Sequence, residues 1–196
     1  MSFRKEKKFR LSMSDMFKLK NDLCKNGMKI LYKSRIVNSC YFDTRNLTFH
    51  HESEEGVLPR KKIRIRWYNN DKEFSKETKI SSIEGRYKFS KKSNFISSIK
   101  ELKNLKFFDN KYGTLYPRLI VKYSRSYYLF NNLRITFDRN ISYNDLSSNS
   151  VLAYQDNECV MEIKTPIECN DNYIDKIMKH PTTRFSKYSR GLLFCN

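Results

Sequence analysis

Arginine and lysine residues occupy every second position in the segment 59–68, opposite a face of apolar side chains. The cations are Arg60, Lys62, Arg64 and Arg66. Residues two apart on a β-strand lie on the same face, roughly 6.6 Å from each other. Because this distance suits successive phosphoryl groups, or a metal ion beside a phosphate, these residue types at this spacing favour binding of a phosphate anion.

Charged residues two positions apart recur on at least five segments, and carboxylates stand among the cations. The sets are Arg4/Glu6/Lys8, Arg64/Arg66, Glu77/Lys79, Arg134/Thr136/Asp138 and Glu162/Lys164. For any one strand, the alternative is that the charged face contacts solvent while the apolar face packs on the core. Several such sets together favour the polar interior of a closed barrel, which would form a tunnel for a polyanion.

The composition indicates a folded and strongly basic protein. The 196 residues include 39 Lys and Arg against 21 Asp and Glu, which gives a formal net charge of +18, and 39% of the residues are hydrophobic. This length and apolar content predict a single domain over residues 1–196. The charge favours an anionic partner, which could be nucleic acid, an acidic membrane surface, or a small or polymeric phosphate.

Alternating segments predict about eight strands, mostly antiparallel, and two or three peripheral helices. The predicted strands are 3–11, 36–42, 59–68, 73–80, 86–89, 117–129, 133–141 and 159–164. One predicted helix has its N-cap within the segment 12–15 and ends at Asn26-Gly27, others cover 93–105 and 173–179, and the segment 184–193 closes the chain. Because antiparallel sheets of this size close to remove their edges, the predicted fold class is mainly β (α+β), with a barrel favoured.

Signals for membrane insertion or secretion are not recognised in the sequence. The chain has no apolar run near the roughly 20 residues that span a bilayer, and its first residues lack the apolar stretch of a signal peptide. We therefore expect a cytoplasmic protein. The five cysteines are Cys24, Cys40, Cys159, Cys169 and Cys195. They form no C-x-x-C pair, so we expect reduced thiols rather than a zinc site.

Taken in order, the charged segments form a set that resembles a known family. The segments are Arg4-x-Glu6-x-Lys8-Phe9, Ser39-x-Tyr41-Phe42-Asp43-Thr44, Lys62-Ile63-Arg64-Ile65-Arg66-x-Tyr68, Glu77-x-Lys79, Tyr123-x-Arg125, Arg134-Ile135-Thr136-Phe137-Asp138, Glu162-Ile163-Lys164 and Phe185-Ser186-Lys187-Tyr188. This set resembles the catalytic domain of the vacuolar transporter chaperone (VTC) polyphosphate polymerases, which belong to the triphosphate tunnel metalloenzymes. The resemblance extends from residue 4 to about residue 190.

The resemblance implies a closed antiparallel eight-stranded tunnel barrel that binds ATP and inorganic polyphosphate with Mn²⁺ or Mg²⁺. The catalytic cations that it implies are Lys8, Arg64, Arg66, Lys79, Arg125, Arg134 and Lys187. The further phosphate-binding residues are Arg86, Lys88, Tyr123, Lys164 and Ser186. The implied metal ligand is Glu162, with Glu6 and Glu77 as second candidates.

The implied reaction transfers the γ-phosphoryl group of ATP to the end of a growing polyphosphate chain. Its nucleophile, a terminal phosphate oxygen, is already ionised at neutral pH, so charge neutralisation and in-line positioning matter more than a general base. Arginine holds two phosphate oxygens in a planar fork, and lysine supplies a movable point charge. Asp138 is expected to orient an arginine, whereas Tyr41 and Asp43 are expected to stabilise the fold, with Asp43 fixing a basic neighbour.

Two other functions stay open at this point. A metal-dependent triphosphatase, acting on inorganic triphosphate or on the 5′-triphosphate of a nucleotide or RNA, has the same fold. Such relatives begin with Glu-x-Glu-x-Lys, whereas Arg4 stands in place of the first glutamate here, which favours the polymerase. A non-catalytic polyphosphate or nucleic-acid-binding module would use the charge and interleaved aromatics such as Trp67. No helix-turn-helix, zinc-finger or RNP pattern predicts a specific nucleic-acid ligand.

Overall fold

The structure is a computed structural model that describes residues 4–93, 96, 98–147, 153–166, 171–178 and 180–195. Its strands are β1 (Arg4–Leu11), β2 (Lys29–Asp43), β3 (Arg60–Tyr68), β4 (Ser75–Ser82), β5 (Gly85–Lys92), β6 (Phe107–Asp109), β7 (Gly113–Phe130), β8 (Leu133–Asp145), β9 (Tyr154–Asp156) and β10 (Cys159–Pro166). Its helices are α1 (Met13–Lys25), α2 (Thr48–Glu55), α3 (Ile99–Leu102), α4 (Asp171–Ile177) and α5 (Lys187–Cys195). The predicted mainly β (α+β) class is confirmed.

Hydrogen-bonded strands follow one another in the order β1-β10-β8-β7-β2-β3-β4-β5, with β6 beside β7 and β9 beside β8. The β1–β10, β10–β8, β2–β3, β3–β4 and β4–β5 pairs are antiparallel, as predicted. The predicted closure of the barrel is corrected, because over the described residues the series is open, with β1 and β5 at its ends. The edge strand β5 has three exposed lysines, Lys88, Lys91 and Lys92. They disfavour pairing of β5 with a further strand, since such pairing would crowd and desolvate their charges.

The chain divides into two compact units. Unit 1 comprises Met1–Arg35, Tyr123–Ile141 and Asp156–Phe185. Unit 2 comprises Ile36–Lys122, Ser142–Gln155 and Ser186–Asn196. The single domain over residues 1–196 stays a prediction.

Unit 1 has a core formed by α1, α4 and one face of β1, β8 and β10. The core residues are Phe9, Leu11, Met16, Leu23, Met28, Tyr128, Phe130, Leu133, Ile135, Phe137, Cys159, Met161, Ile163, Ile174 and Met178. The N-cap of helix α1 is Ser12, one of the residues in the predicted segment 12–15, and its hydroxyl accepts a hydrogen bond from the backbone N–H of Asp15 (3.0 Å). The helix ends at Asn26, as predicted. Because side chains alternate along a strand, Glu6, Lys8 and Glu162 lie on the face opposite the core.

Unit 2 has its own core, and alternate residues of β3 enter it. The core residues are Cys40, Phe42, Phe49, Ile63, Ile65, Trp67, Phe74, Ile96, Leu102 and Leu115. Ile63 and Ile65 therefore anchor β3, and the alternation places Lys62, Arg64 and Arg66 on its other face. This is the arrangement that the sequence predicts for the segment 59–68.

Helices of unit 2 differ most from the prediction. Within the predicted helix over 93–105, the described residues form a helix at α3, and Ser93 is not helical, because its backbone N–H donates to the carbonyl of Phe74 (2.8 Å). Phe95, part of the predicted apolar stripe, lies outside the described residues. Helix α2 was not predicted. It begins at Thr48, and the backbone N–H groups of Phe49 (2.9 Å) and His50 (3.0 Å) in its first turn donate hydrogen bonds to the carboxylate of Asp43.

Other boundaries move by a few residues. The predicted strand 36–42 extends to β2 (Lys29–Asp43), and the predicted helix 173–179 becomes α4 (Asp171–Ile177), with Lys179 outside the described residues. The short strands β6 and β9 were also not predicted. Within the part of the chain that the structure describes, no helix has the length and apolar character needed to cross a membrane.

Candidate functional site

Charged side chains gather into two clusters, one within each unit. The Glu77 cluster of unit 2 comprises Tyr41, Arg64, Arg66, Glu77 and Lys88. The Glu162 cluster of unit 1 comprises Glu6, Arg125, Asp138, Glu162 and Lys164. Each cluster is built by strand register, because its members share one face of the sheet and lie opposite one another, diagonally across neighbouring strands, or two positions apart on one strand.

The Glu77 cluster is centred on a carboxylate that is only 3% exposed. Arg64 lies directly opposite Glu77 in the β3–β4 ladder and donates from Nε (2.8 Å) and Nη2 (2.6 Å) to its Oε2 atom. Lys88 Nζ lies 2.6 Å from Oε1, and Arg66 Nη1 lies 3.7 Å from Oε2. Burial by itself raises the pKa of Glu77, but Arg64, Arg66 and the hydrogen bonds from Lys88 and Arg64 lower it to about 2. Glu77 is therefore an anion that holds three cations.

The two arginines of this cluster are held on their β2 side as well. Arg64 Nη1 donates to the phenolic oxygen of Tyr41 (3.0 Å), and Arg66 Nε donates to the hydroxyl of Ser39 (3.1 Å). Both partners lie opposite their arginine in the β2–β3 ladder. Since contacts on two sides fix the guanidinium planes, these groups are oriented before any ligand arrives.

The other predicted residues of unit 2 lie on β4, on β5, immediately before α5 and at its first residue. Lys79 and Arg86 are exposed, and Lys79 faces Lys62 on β3 and Lys88 on β5. Ser186 accepts a hydrogen bond from Lys62 Nζ (3.0 Å). Lys187 is the first residue of α5. Lys62, which belongs to the charged face but not to the predicted site residues, is thus tied to the predicted Ser186.

The Glu162 cluster lies on the polar face of β1, β10 and β8. One row across β1, β10 and β8 consists of Lys8, Glu162 and Thr136. The next row consists of Glu6, Lys164 and the predicted Arg134. Lys8 Nζ donates to the carbonyl of Phe185 (2.9 Å). Carboxylates and cations therefore alternate across this face.

Arg125 is the most strongly fixed cation of this cluster. Its Nε and Nη2 donate to the two carboxylate oxygens of Asp138 (2.5 and 2.7 Å), and its Nη2 lies 4.0 Å from Glu162. The ring of Tyr123 lies 5.2 Å from its guanidinium carbon. Burial lowers the pKa of Arg125, but Asp138, Tyr123 and Glu162 together raise it well above its ordinary value. The prediction that Asp138 orients an arginine is confirmed.

Two carboxylates of this cluster converge on one ammonium group. Lys164 Nζ lies 3.1 Å from Glu6 Oε1 and 3.1 Å from Glu162 Oε1. Burial lowers the pKa of Lys164, whereas Glu162 and Glu6 raise it, and the result is an increase. Beside them, the buried Thr136 Oγ1 has no hydrogen-bond partner among the described residues. The carboxylate oxygens of Glu6 and Glu162 are ligands that Mg²⁺ prefers in proteins. The ammonium of Lys164 now lies between them, so an ion would bind there in its place.

A complete protein-only metal site is not present over the ranges that the structure describes, where no group of three or more His, Cys, Asp or Glu could hold an ion. Glu77 fits a metal less well, since three cations surround its oxygens.

A family model described as the VTC domain matches residues 3–196 of the chain. The chain belongs to the VTC domain family. This VTC-domain chain has no match among curated proteins. The resemblance stated from the ordered charged segments is confirmed.

Solved structures with the same fold cover nearly the whole chain at low sequence identity. A proposed adenylate cyclase from Bacillus halodurans has a TM-score of 0.63 and 13% identity, over 94% of each chain. A proposed adenylyl cyclase from Hippeastrum, described as having a dominant triphosphatase activity, has a TM-score of 0.56 and 13% identity, over 96% of this chain and 95% of that one. A proposed adenylate cyclase from Vibrio parahaemolyticus has a TM-score of 0.54 and 14% identity, over 98% of both chains.

Sequence reasoning missed the role of two residues of β2. Tyr41 contacts Arg64 directly, although it was expected only to stabilise the fold. The hypothesis that Asp43 fixes a basic neighbour is wrong, because its carboxylate accepts from backbone N–H groups of α2 and from the hydroxyl of Tyr188 (2.8 Å). The alternation of β2 and β3 could have indicated the first contact, since it puts Tyr41 on the same face as the arginines.

Proposed function

We propose that this chain is a metal-dependent phosphotransferase that transfers the γ-phosphoryl group of ATP to a growing inorganic polyphosphate chain. The observation that carries the proposal is a set of strand-borne arginines, fixed by buried carboxylates, in a chain of the VTC domain family. Fixed guanidinium groups stabilise the charge of a transferring phosphoryl group without reorganising during the reaction. The reaction needs such groups more than it needs a general base.

The charge of each cluster suggests what it binds. The Glu77 cluster has three cations for one carboxylate, so it suits an anion, and Arg64 and Arg66 are its candidate phosphate ligands. The further cations in this role are Lys8, Lys79, Arg86, Lys88, Arg134 and Lys187. We include Tyr123 and Ser186 as neutral phosphate-binding residues.

Three carboxylates lie among the cations of the Glu162 cluster, and two of them, Glu6 and Glu162, are the candidate metal ligands. Glu6 and Glu162 would hold Mg²⁺ or Mn²⁺, and the bound ion would neutralise charge on phosphate oxygens. Asp138 keeps Arg125 oriented for a phosphate oxygen. Lys164, which lies between the two glutamates, keeps them together when no ion is bound.

A triphosphatase is the second candidate function. It is favoured by the fold shared with the Hippeastrum protein, whose described activity is dominantly that of a triphosphatase. Hydrolysis would use water in place of a phosphate oxygen as the nucleophile, at the same fixed cations. The products therefore distinguish the two reactions.

The decisive experiment incubates the purified protein with γ-labelled ATP and Mn²⁺ or Mg²⁺ and resolves the products on a gel. We expect a ladder of phosphate polymer from the unaltered protein, and its loss in the variants Glu162→Gln and Lys187→Ala. The matched control is Lys91→Ala, which removes an exposed lysine of β5 that faces Lys76 rather than Glu77 or Lys79. Its ladder should be unchanged.

Each other result has a defined meaning. Free orthophosphate without a ladder would reject the polymerase in favour of the triphosphatase. Absence of turnover, combined with tight binding of tripolyphosphate, would reject both enzymes and leave a non-catalytic binding module.

A further inference from the structure

The ring of Tyr41 is fixed by stacking on Tyr188. Its ring is 8% exposed and stacks on Tyr188, with the ring centroids 5.0 Å apart and the planes 17° from parallel. Tyr188 is fixed in turn, because its hydroxyl donates to the buried carboxylate of Asp43 (2.8 Å). The phenolic oxygen of Tyr41 therefore has a defined place beside β3.

Cations dominate the surroundings of this oxygen. Tyr41 lies opposite Arg64 in the β2–β3 ladder, and Lys62 and Arg66 lie on the same face of β3 as Arg64. Arg64 Nη1 donates to the phenolic oxygen (3.0 Å), and the guanidinium carbon lies 5.7 Å from the ring centroid. Within the part of the chain that the structure describes, the phenolic oxygen accepts this bond and donates none. A hydrogen bond to the oxygen without an acceptor for its own proton favours the ionised form.

The anions near Tyr41 are each separated from it by another side chain. Glu77 on β4 contacts it only through Arg64, and Asp43 on β2 only through Tyr188. His50 of α2 lies against Tyr188, 6.2 Å between ring centroids. Burial by itself raises the pKa of Tyr41, but Arg64, Arg66, the Arg64 hydrogen bond and Lys62 lower it to about 7.

We propose that Tyr41 is a positioning residue of the phosphate site, which gives up its proton to hold the Arg64 guanidinium and takes a proton from solvent when a phosphate binds that guanidinium. This inference rests on the proposed function, because it needs Arg64 to be a phosphate ligand. The proton returns because the bound anion repels the phenolate. Phosphate affinity then depends on pH through Tyr41, and falls as the pH rises above neutrality.

The test compares the unaltered protein with Tyr41→Phe, which keeps the ring that stacks on Tyr188 and removes only the hydroxyl. Calorimetry without metal gives the dissociation constant of tripolyphosphate from about pH 6 to about pH 9. Because binding is linked to the uptake of one proton, the affinity of the unaltered protein for tripolyphosphate should fall as the pH rises. For each pH unit, this fall should be up to about tenfold larger than in Tyr41→Phe. Protonation of tripolyphosphate itself affects both proteins equally, so the difference in slope isolates Tyr41. The control is Tyr32→Phe, an exposed tyrosine of unit 1, which should keep the original slope.

A second readout needs no ligand. The near-ultraviolet absorbance of phenolate should show one tyrosine ionising near pH 7 in the unaltered protein and none near that pH in Tyr41→Phe, since ordinary tyrosines ionise near pH 10. Tripolyphosphate should move this titration to higher pH. Equal pH slopes for both proteins, or the same absorbance titration in both, would overturn the inference while the proposed function stands. Failure of the unaltered protein to bind tripolyphosphate at any pH would overturn both.

Discussion

Glu77→Gln should destabilise the protein at neutral pH by an amount that the structure allows us to work out. The carboxylate is 3% exposed, and its pKa in the folded state is about 2, against about 4.3 for an unperturbed glutamate. That difference corresponds to about 3 kcal/mol of stability supplied by the ionised form. The glutamine keeps the size of the side chain but leaves Arg64, Arg66 and Lys88 without their anion, a change that in buried clusters costs about 3–5 kcal/mol.

The effect should depend on pH with a definite sign. Since the folded pKa is depressed, the stabilisation is fully present above the unfolded pKa of about 4.3 and is lost as the pH falls through the folded pKa of about 2. Urea unfolding of both proteins at a series of pH values should therefore show a difference of about 3 kcal/mol at neutral pH that narrows steadily in acid.

The matched control is Glu73→Gln. Glu73 has a side chain that is 79% exposed, and it pairs with an exposed lysine at 3.5 Å, so we expect a change below about 1 kcal/mol. Equal stability of Glu77→Gln and the unaltered protein at neutral pH would refute the reasoning. A difference that stays constant from neutral to acid pH would show that Glu77 acts through packing rather than charge.

Three further outcomes follow from buried groups. Asp138→Asn should lower the free energy of unfolding by about 3–5 kcal/mol, because it leaves the half-buried Arg125 without the buried carboxylate that pairs with it; urea unfolding measures this, and an unchanged midpoint would contradict it. Gly191→Ala should cost about 1–3 kcal/mol, since an added Cβ would lie 2.5 Å from a ring carbon of Tyr143; a thermal melt with no shift would argue against the packing. In thiol labelling followed by mass spectrometry, the exposed Cys24 should react with the native protein, whereas Cys40 should react only after unfolding, because burial raises its pKa.

The alternation of β3 could be predicted from the sequence because it depends only on local spacing. Contacts between strands depend on register, which the alternation of a single strand does not contain. One pair could nevertheless be predicted from the sequence. A two-residue turn at Asn131-Asn132 places position 125 opposite position 138, where Arg125 and Asp138 form their hydrogen bonds. The Arg64–Glu77 pair has the same separation of 13 positions across the β3–β4 turn.

Helix α2 was not predictable in this way. Its cap comes from Asp43, several residues before the first helical residue, so the local pattern of a capped helix is missing. Ser93 is held outside the predicted helix by its hydrogen bond to the carbonyl of Phe74, a residue far away in the chain. Both outcomes were decided by tertiary contacts rather than by local preference.

Buried carboxylates beside candidate phosphate ligands oppose phosphate binding electrostatically, so their position needs a physical reason. Glu77 and Asp138 each fix an arginine through two hydrogen bonds. Ordering a long side chain on ligand binding costs about 0.5–1.5 kcal/mol for each side chain. Arg64 and Arg125 are already ordered in the folded protein, so binding would not include this cost. The carboxylates also relieve repulsion between cations on adjacent strands, in a chain whose net charge is +18. These anions lower the attraction for phosphate, but they also keep Arg64 and Arg125 oriented without any ligand.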